Sequence, residues 1–537
     1  MNKGVQELII RKENIHENRI KCSNTMQITL DDDFNVPDSK PDIDSIIKER
    51  GIVHIESVKS VADKADVIGA LDFSLLYTGT ENDKHIPVRM NSSMEFNEKI
   101  NLSEDADNTY LTAQARLEDI TVKAINSRKI SVKAVVSITV VSEEIEDVSV
   151  GNDVDDIDEK DDIQILKNTI NYCQLAVNQK DNLRIKESVN LTAGKPNIAQ
   201  LLWEDIDIRS FNTRLDNNSM NITGQMNVFV MYTAQDDTES VQWFETTKDF
   251  EGTLDISGCN PDMVSYVKYG LVSTNVEVKP DYDGENREIA IELVIDMEVK
   301  AYEEYEQQII TDIYSPVKNV TLNEQKAVLR QLLTHNNSKC RVSERVKADE
   351  YVNMLQICNC TGMAQIDDIS SDEEGILVEG AVVVNVFYIT SDDNSPMGSM
   401  RTALPFSHKI QVKCDDIEKM EYTINPLVED LSAVMTGSSE IEIKGSVSLD
   451  TICFQAYSVN GVMSCEITPF PENEFLKFPS IIGYIANGEE TLWEIARKNH
   501  TTTSSIRKRN GQLVEKTADD MKVKKGEKLL LVKVARL

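Results

Sequence analysis

Six histidines (16, 54, 85, 335, 408 and 500) and nine cysteines (22, 173, 259, 340, 358, 360, 414, 453 and 465) are the side chains of this 537-residue sequence best suited to hold a metal or act as nucleophile or base. Such chemistry needs these residues at short, defined spacings. The histidines keep no common spacing, and HExxH, GxSxG, Walker A and GxGxxG are all missing from the sequence, so it lacks the common metalloprotease, hydrolase, nucleotide and dinucleotide fingerprints. The cysteines are odd in number, form no CxxC and have no clustered histidine, which reads as reduced structural thiols. Cys358 and Cys360 stand one residue apart in an alternating run, where a regular strand turns both side chains to one face. Nothing nearby supplies further ligands. Neither Asp31-Asp32-Asp33 nor the acidic run at 153–162 has EF-hand spacing. The expectation is a protein without catalytic residues, metal or cofactor.

The elements that carry these residues are acidic and globular. Lys plus Arg number 56 against 91 Asp plus Glu, a formal charge of −35, which disfavours a nonspecific grip on nucleic acid or anionic lipid. Apolar residues make up 40%, enough for folded cores, and the length predicts several domains. The opening MNKGVQELIIRKENIHENRI breaks its apolar patch at Arg11 and Lys12, short of a signal peptide, and no stretch has the length of a membrane-spanning helix. Residence in the cytosol is expected.

A long unit repeats three times. GALDFSLLYT from Gly69, GQMNVFVMYT from Gly224 and GAVVVNVFYIT from Gly380 lie 155 and 156 residues apart. Lys40-Pro41-Asp42-Ile43 returns as Lys195-Pro196-Asn197-Ile198 and, degenerate, as Asp349-Glu350-Tyr351-Val352. Phe96 and Ile100, Phe250 and Leu254, and Phe406 and Ile410 follow each tyrosine at nearly constant distance. Each unit closes on alternating runs, KISVKAVVSITV, EIAIELVIDMEV and EIEIKGSVSLDTICF.

Period two dominates, which predicts strands burying one face, and short loops such as INSRK and YDGEN predict antiparallel hairpins. The stretches KPDIDSIIKER and KPNIAQLLWED place proline ahead of an i, i+3, i+4 apolar pattern, which predicts one short helix per unit. The fold expected is mainly β and multidomain: three antiparallel β-sandwich or barrel units, each with a short helix, at 1–150, 163–312 and 313–470. Residues 143–162 hold eleven acidic residues and one lysine. Their mutual repulsion predicts a solvated linker, with 151–162 between units one and two. A second linker is expected at 471–483.

The last segment, 484–534, is a different domain. Residues 484–537 contain twelve Lys or Arg and seven Asp or Glu, a local +5, so residues 1–483 carry −40. Its pattern predicts strand, two helices and strand. Thr491-Leu492-Trp493, Ile495-Ala496, Ile506, Asn510 and Gly526 with Lys528-Leu529 resemble the LysM domain, a βααβ module that binds N-acetylglucosamine in peptidoglycan and chitin. The resemblance implies partner or glycan contacts in two loops, at Glu489, Glu490, Thr491, Leu492 and Trp493, and after Asn510. Where the family has Gly-Asp-Thr this sequence has Glu489-Glu490-Thr491, and a bulky acidic side chain works against close backbone approach to a sugar. Trp493 could stack on a sugar, pack in the module's core, or anchor a protein partner.

Three repeated β units followed by one LysM-like module resemble the SipL family of clostridial spore-coat morphogenetic proteins. That resemblance implies a non-catalytic scaffold in the mother-cell cytosol, at the forespore surface. Its LysM domain would bind the coat-basement ATPase SpoIVA and so tether the coat. Limited self-association is a further expectation, because repeated sandwiches expose strand edges that charge usually guards. The alternative is a peptidoglycan-binding protein with the repeats as spacers.

Overall fold

The computed structural model describes residues 6–81, 84–102, 110–155, 157, 161–236, 240–347, 354–392, 396–414, 416–437, 439–471, 477–511 and 518–534. The landmark at 349–352 lies outside them.

Each repeat forms six strands. The first has β1 (Gln6–Asn35), β2 (Ile43–Val61), β3 (Lys64–Glu81), β4 (Lys84–Asn101), β5 (Tyr110–Asn126) and β6 (Lys129–Asp155). The second has β7 (Gln164–Asn190), β8 (Ile198–Asp216), β9 (Ser219–Ala234), β10 (Val241–Asp255), β11 (Val264–Pro280) and β12 (Asn286–Tyr314). The third has β13 (Lys318–Lys347), β14 (Met354–Asp372), β15 (Gly375–Thr390), β16 (Met397–Gln411), β17 (Met420–Met435) and β18 (Glu440–Pro469). In every unit the second to fourth strands form one antiparallel sheet, and the sixth pairs with the first and fifth in another. The two sheets bury their inner faces on each other: Leu71, Phe73 and Leu75 meet Ile130 and Val132, and Val228 and Val230 meet Ile289 and Ile291. Val382 and Val384 likewise meet Ile441 and Ile443. This is the β-sandwich that period two implies.

The repeated residues have specific tasks. Gly69, Gly224 and Gly380 stand opposite Phe96, Phe250 and Phe406 across the ladder, and each phenylalanine ring lies where a Cβ on its glycine would be. The hydroxyls of Tyr77 and Tyr232 donate to the carbonyls of Pro41 and Pro196, at 3.0 and 3.1 Å. Arg128, in the hairpin INSRK, and Arg287, directly after YDGEN, donate to the carbonyls of Lys40 and Lys195, at 2.7 and 2.8 Å. The Lys-Pro motif is therefore a clamped turn and not a helix start.

That corrects the expected helix. Ile43–Val61 and Ile198–Asp216 are strands, and among the described residues the three sandwiches contain no α-helix. The physical reason is a pair of β-bulges. Register shifts fall between Ile43 and Ser45 and between Ile46 and Lys48, and likewise between Ile198 and Gln200 and between Leu201 and Trp203. Each bulge resets the alternation by one residue, so apolar side chains fall at i, i+3 and i+4 in a strand. A bulge between Ile357 and Asn359 also separates the two cysteines: Cys358 joins a cluster between units, while Cys360 packs in the core of the third unit.

The acidic run is also not a solvated linker as far as Asp155. Residues 143–155 continue β6, paired to β1. Cations on facing strands offset the repulsion: Lys21 meets Glu144 at 2.9 Å, Arg19 meets Glu146 at 2.7 Å and Arg11 meets Asp155 at 2.6 Å. Buried Glu143 accepts from Lys300 of β12 at 2.5 Å. Residues 156 and 158–160 of the expected linker are outside the described set.

The units are joined at equivalent positions. The bulged residues Ile47, Leu202 and Cys358, at repeat steps of 155 and 156, share one cluster with Leu76, Met231 and Phe387, which are also equivalent to one another. At the other end the long first and sixth strands bring Ile10 and Val154, Ile310 and Ile313, and Val462 and Ile467 together. Gln6–Leu8 pair with Cys465–Ile467, so the first strand of the first unit hydrogen-bonds to the last strand of the third. The arrangement has pseudo-threefold character.

Beyond the sandwiches come β19 (Ile481–Ile485), α1 (Leu492–Lys498), α2 (Thr503–Asn510) and β20 (Lys528–Val532), with β19 and β20 antiparallel. The βααβ order is as read, with the first strand starting at Ile481, inside the stretch expected as a linker. Of that stretch, 472–476 lie outside the described residues.

Candidate interaction site in the C-terminal module

Helix α1 begins on a capping box: the Thr491 hydroxyl accepts from Glu494 N at 3.1 Å and the Glu494 carboxylate from Thr491 N at 2.8 Å. This fixes the helix so that Leu492, Ile495 and Ala496 enter the module's core with Ile506, Leu529 and Leu531. Trp493 belongs to the same buried cluster and carries it onto Tyr314 of the second sandwich. It is 3% exposed, its Nε1 donates to Asp312 Oδ2 at 2.7 Å, and its ring meets Tyr314 edge-on at 4.7 Å. Arg497, one turn on, pairs with the same Asp312 oxygen at 2.7 Å, and the Tyr314 hydroxyl donates to the Thr501 carbonyl at 3.0 Å. Burial pushes the Tyr314 phenol well above its ordinary range. The module is thus latched to the end of β12.

The other residues singled out by the LysM resemblance are mostly engaged locally. Glu490 accepts from the Tyr484 hydroxyl and pairs with Lys498 at 3.1 Å; these two partners hold its carboxyl below the usual range. Burial, with the Glu490 bond second, pushes the Tyr484 phenol up to about 12. Asn510 staples the end of α2 to β20, donating to Leu530 O at 3.0 Å and accepting from Leu530 N at 2.7 Å. Glu489 is exposed, with its backbone N–H on Asn487 Oδ1 at 2.8 Å. The loop after Asn510 is described only at Gly511 and from Ala518 onward. Asp312, Tyr314 and Arg497 were not singled out by the sequence; a contact between segments 181 residues apart leaves no local pattern.

A second concave region lies where the three sandwiches meet, lined by Arg50, Arg116, Asp207, Tyr269, Met363 and Arg401. Its cations bind neighbouring units. Arg50 pairs with Asp205 at 2.9 Å, Arg116 donates to Ala364 O at 2.6 Å, and Arg401 pairs with Asp119. Lys48 and Asn359 donate to the same Asp205 carboxylate at 2.5 and 2.9 Å, so one buried carboxylate ties all three units. Burial pushes Asp205 up, but Lys48 and Arg50 more than offset it and leave the carboxyl below the usual range. These contacts describe a joint between units. Among the described residues no group of three or more His, Cys, Asp or Glu could hold a metal ion.

A chain of three equivalent sandwiches with recurring Gly–Phe pairs, and with clamped Lys-Pro turns in the first two, is a tandem-domain protein. The family model described as "SipL, SPOCS domain" matches it three times, at residues 42–125, 197–279 and 353–436, so over these repeats the chain is SipL-like. The matches span the second to fifth strands of each sandwich. No curated protein and no solved structure matches the chain. The SPOCS family makes this a sporulation-related protein. No helix among the described residues is long and apolar enough to cross a membrane.

Proposed function

We propose that this chain is a non-catalytic spore-coat morphogenetic scaffold, acting in the mother-cell cytosol at the forespore surface. Its C-terminal βααβ module, which we read as a LysM domain, binds the coat-basement ATPase SpoIVA, and the three SPOCS sandwiches form the body that the module tethers. The observation that carries this reading is the threefold SPOCS match ahead of a module with LysM landmarks. The local +5 of residues 484–537 on an acidic body supports a docking role with a protein partner. The glycan alternative needs an open aromatic face. The Trp493 ring instead packs on Tyr314, and Glu489 stands out from the first loop, both of which weigh against sugar binding.

The test is a titration of the purified full chain, and of a chain ending at Phe470, against purified SpoIVA and against a chitin oligomer. Saturable binding of the ATPase by the full chain only is the expected result. Binding of the oligomer without binding of the ATPase would reject the scaffold reading.

A further inference from the structure

The face of α1 that bears Trp493 is committed to β12, so a partner protein must use another surface of the module. In its two-stranded sheet, Ile482, Tyr484, Leu529 and Leu531 turn towards the helices. The opposite face is made by the cross-strand pairs Ile481 with Val532, Gly483 with Leu530, and Ile485 with Lys528. There Ile481 is 66% exposed, Ile485 63% and Leu530 45%. A sheet with one wet face ordinarily alternates apolar inside and polar outside. This one is aliphatic on both sides. At its middle, Gly483 has open space where a Cβ would stand, which leaves a shallow, backbone-floored patch. Lys528 shares the patch, and Lys524 and Lys525 are exposed in the turn just before β20.

We propose that the outer face of the β19–β20 sheet is the docking surface of the module, and that it takes an acidic protein surface carrying aliphatic side chains. The inference rests on the reading that the module docks a protein, and it adds where and by what chemistry. The aliphatic trio supplies apolar area at the centre, and the lysines supply a rim of positive charge that steers and selects an acidic partner. A glycan site would call for an aromatic platform, and this face has none.

The experiment measures binding of the full chain to immobilised, purified SpoIVA at two salt concentrations, with Ile485→Glu, Leu530→Glu and the uncharged Ile481→Gln as variants. All three positions are exposed, so unchanged thermal unfolding is expected and is checked first. The proposal predicts at least a tenfold loss of affinity for each glutamate variant, a smaller loss for Ile481→Gln, and weaker wild-type binding at higher salt. Wild-type binding that survives all three substitutions overturns this face and leaves the proposed function standing. No wild-type binding overturns both. Loss in the variants without salt dependence overturns the acidic character of the partner. A homodimer of the chain, seen by light scattering and broken by the same variants, overturns the choice of a different protein as occupant.

Discussion

At the scale of single residues, the repeat is held by pairs whose logic is steric. Gly224 lies under the Phe250 ring and beside the Ser210 carbonyl, so Gly224→Ala forces strand and ring apart. We expect it to cost about 1–3 kcal/mol, by analogy with overpacked cores, read as a lower denaturation midpoint. Adding Phe250→Leu should restore only part, because the Ser210 carbonyl remains. The thiols follow the same reasoning. Burial pushes Cys173, Cys358, Cys360 and Cys453 up to about 12, far from the thiolate that alkylating reagents attack. Peptide mapping after iodoacetamide treatment should find these four unlabelled in the native chain and labelled after unfolding. Labelling of Cys360 in the native chain would contradict its place in the third core.

At the scale of elements, much was legible and the misreadings share one cause. The alternation in Ile289, Ile291 and Leu293 and the glycine-to-tyrosine spacing mark the strands because one buried face imposes period two. The bulges at the start of β2 and β8 imitate helical spacing, and only cross-strand register distinguishes the two. The acidic half of β6 looks solvated because its balancing cations, Arg11, Arg19 and Lys21, lie more than 120 residues away in sequence. Thr491, Leu492 and Trp493 were singled out through the LysM resemblance, but Trp493's partner on β12 was not visible. That contact yields its own expectation. Asp312→Ala removes the acceptor of both Trp493 and Arg497, so amide exchange in α1 should quicken and small-angle scattering should report a larger radius of gyration. Unchanged exchange in α1 would mean that the latch does not hold the module.

At the scale of the whole molecule, equivalent residues of three sandwiches meet at shared junctions, so the repeats form one body instead of beads on a string. Asp205 carries much of one junction, and its carboxyl is held below the ordinary range by Lys48 and Arg50 against the effect of burial. A carboxyl with a depressed folded pKa stabilises the fold above its unfolded value and loses that contribution as pH falls through the folded one. Asp205→Asn removes the carboxylate that pairs with both Lys48 and Arg50, leaving Arg50 only Asp207 and Glu204 nearby. We expect a loss of about 3–5 kcal/mol near pH 7, and a gap from wild type that narrows below about pH 4. Denaturant titrations of both proteins across that range provide the check. A shared body also suits a scaffold, since surfaces on different units then keep fixed spacing. The most direct measurement is amide exchange by mass spectrometry across the full chain carrying Leu202→Asp, at the bulge of β8. The account predicts faster exchange not only around Leu202 but also around Ile47 in β2 and Cys358 in β14, because the three side chains share one cluster. Exchange that quickens in the second sandwich alone would contradict it.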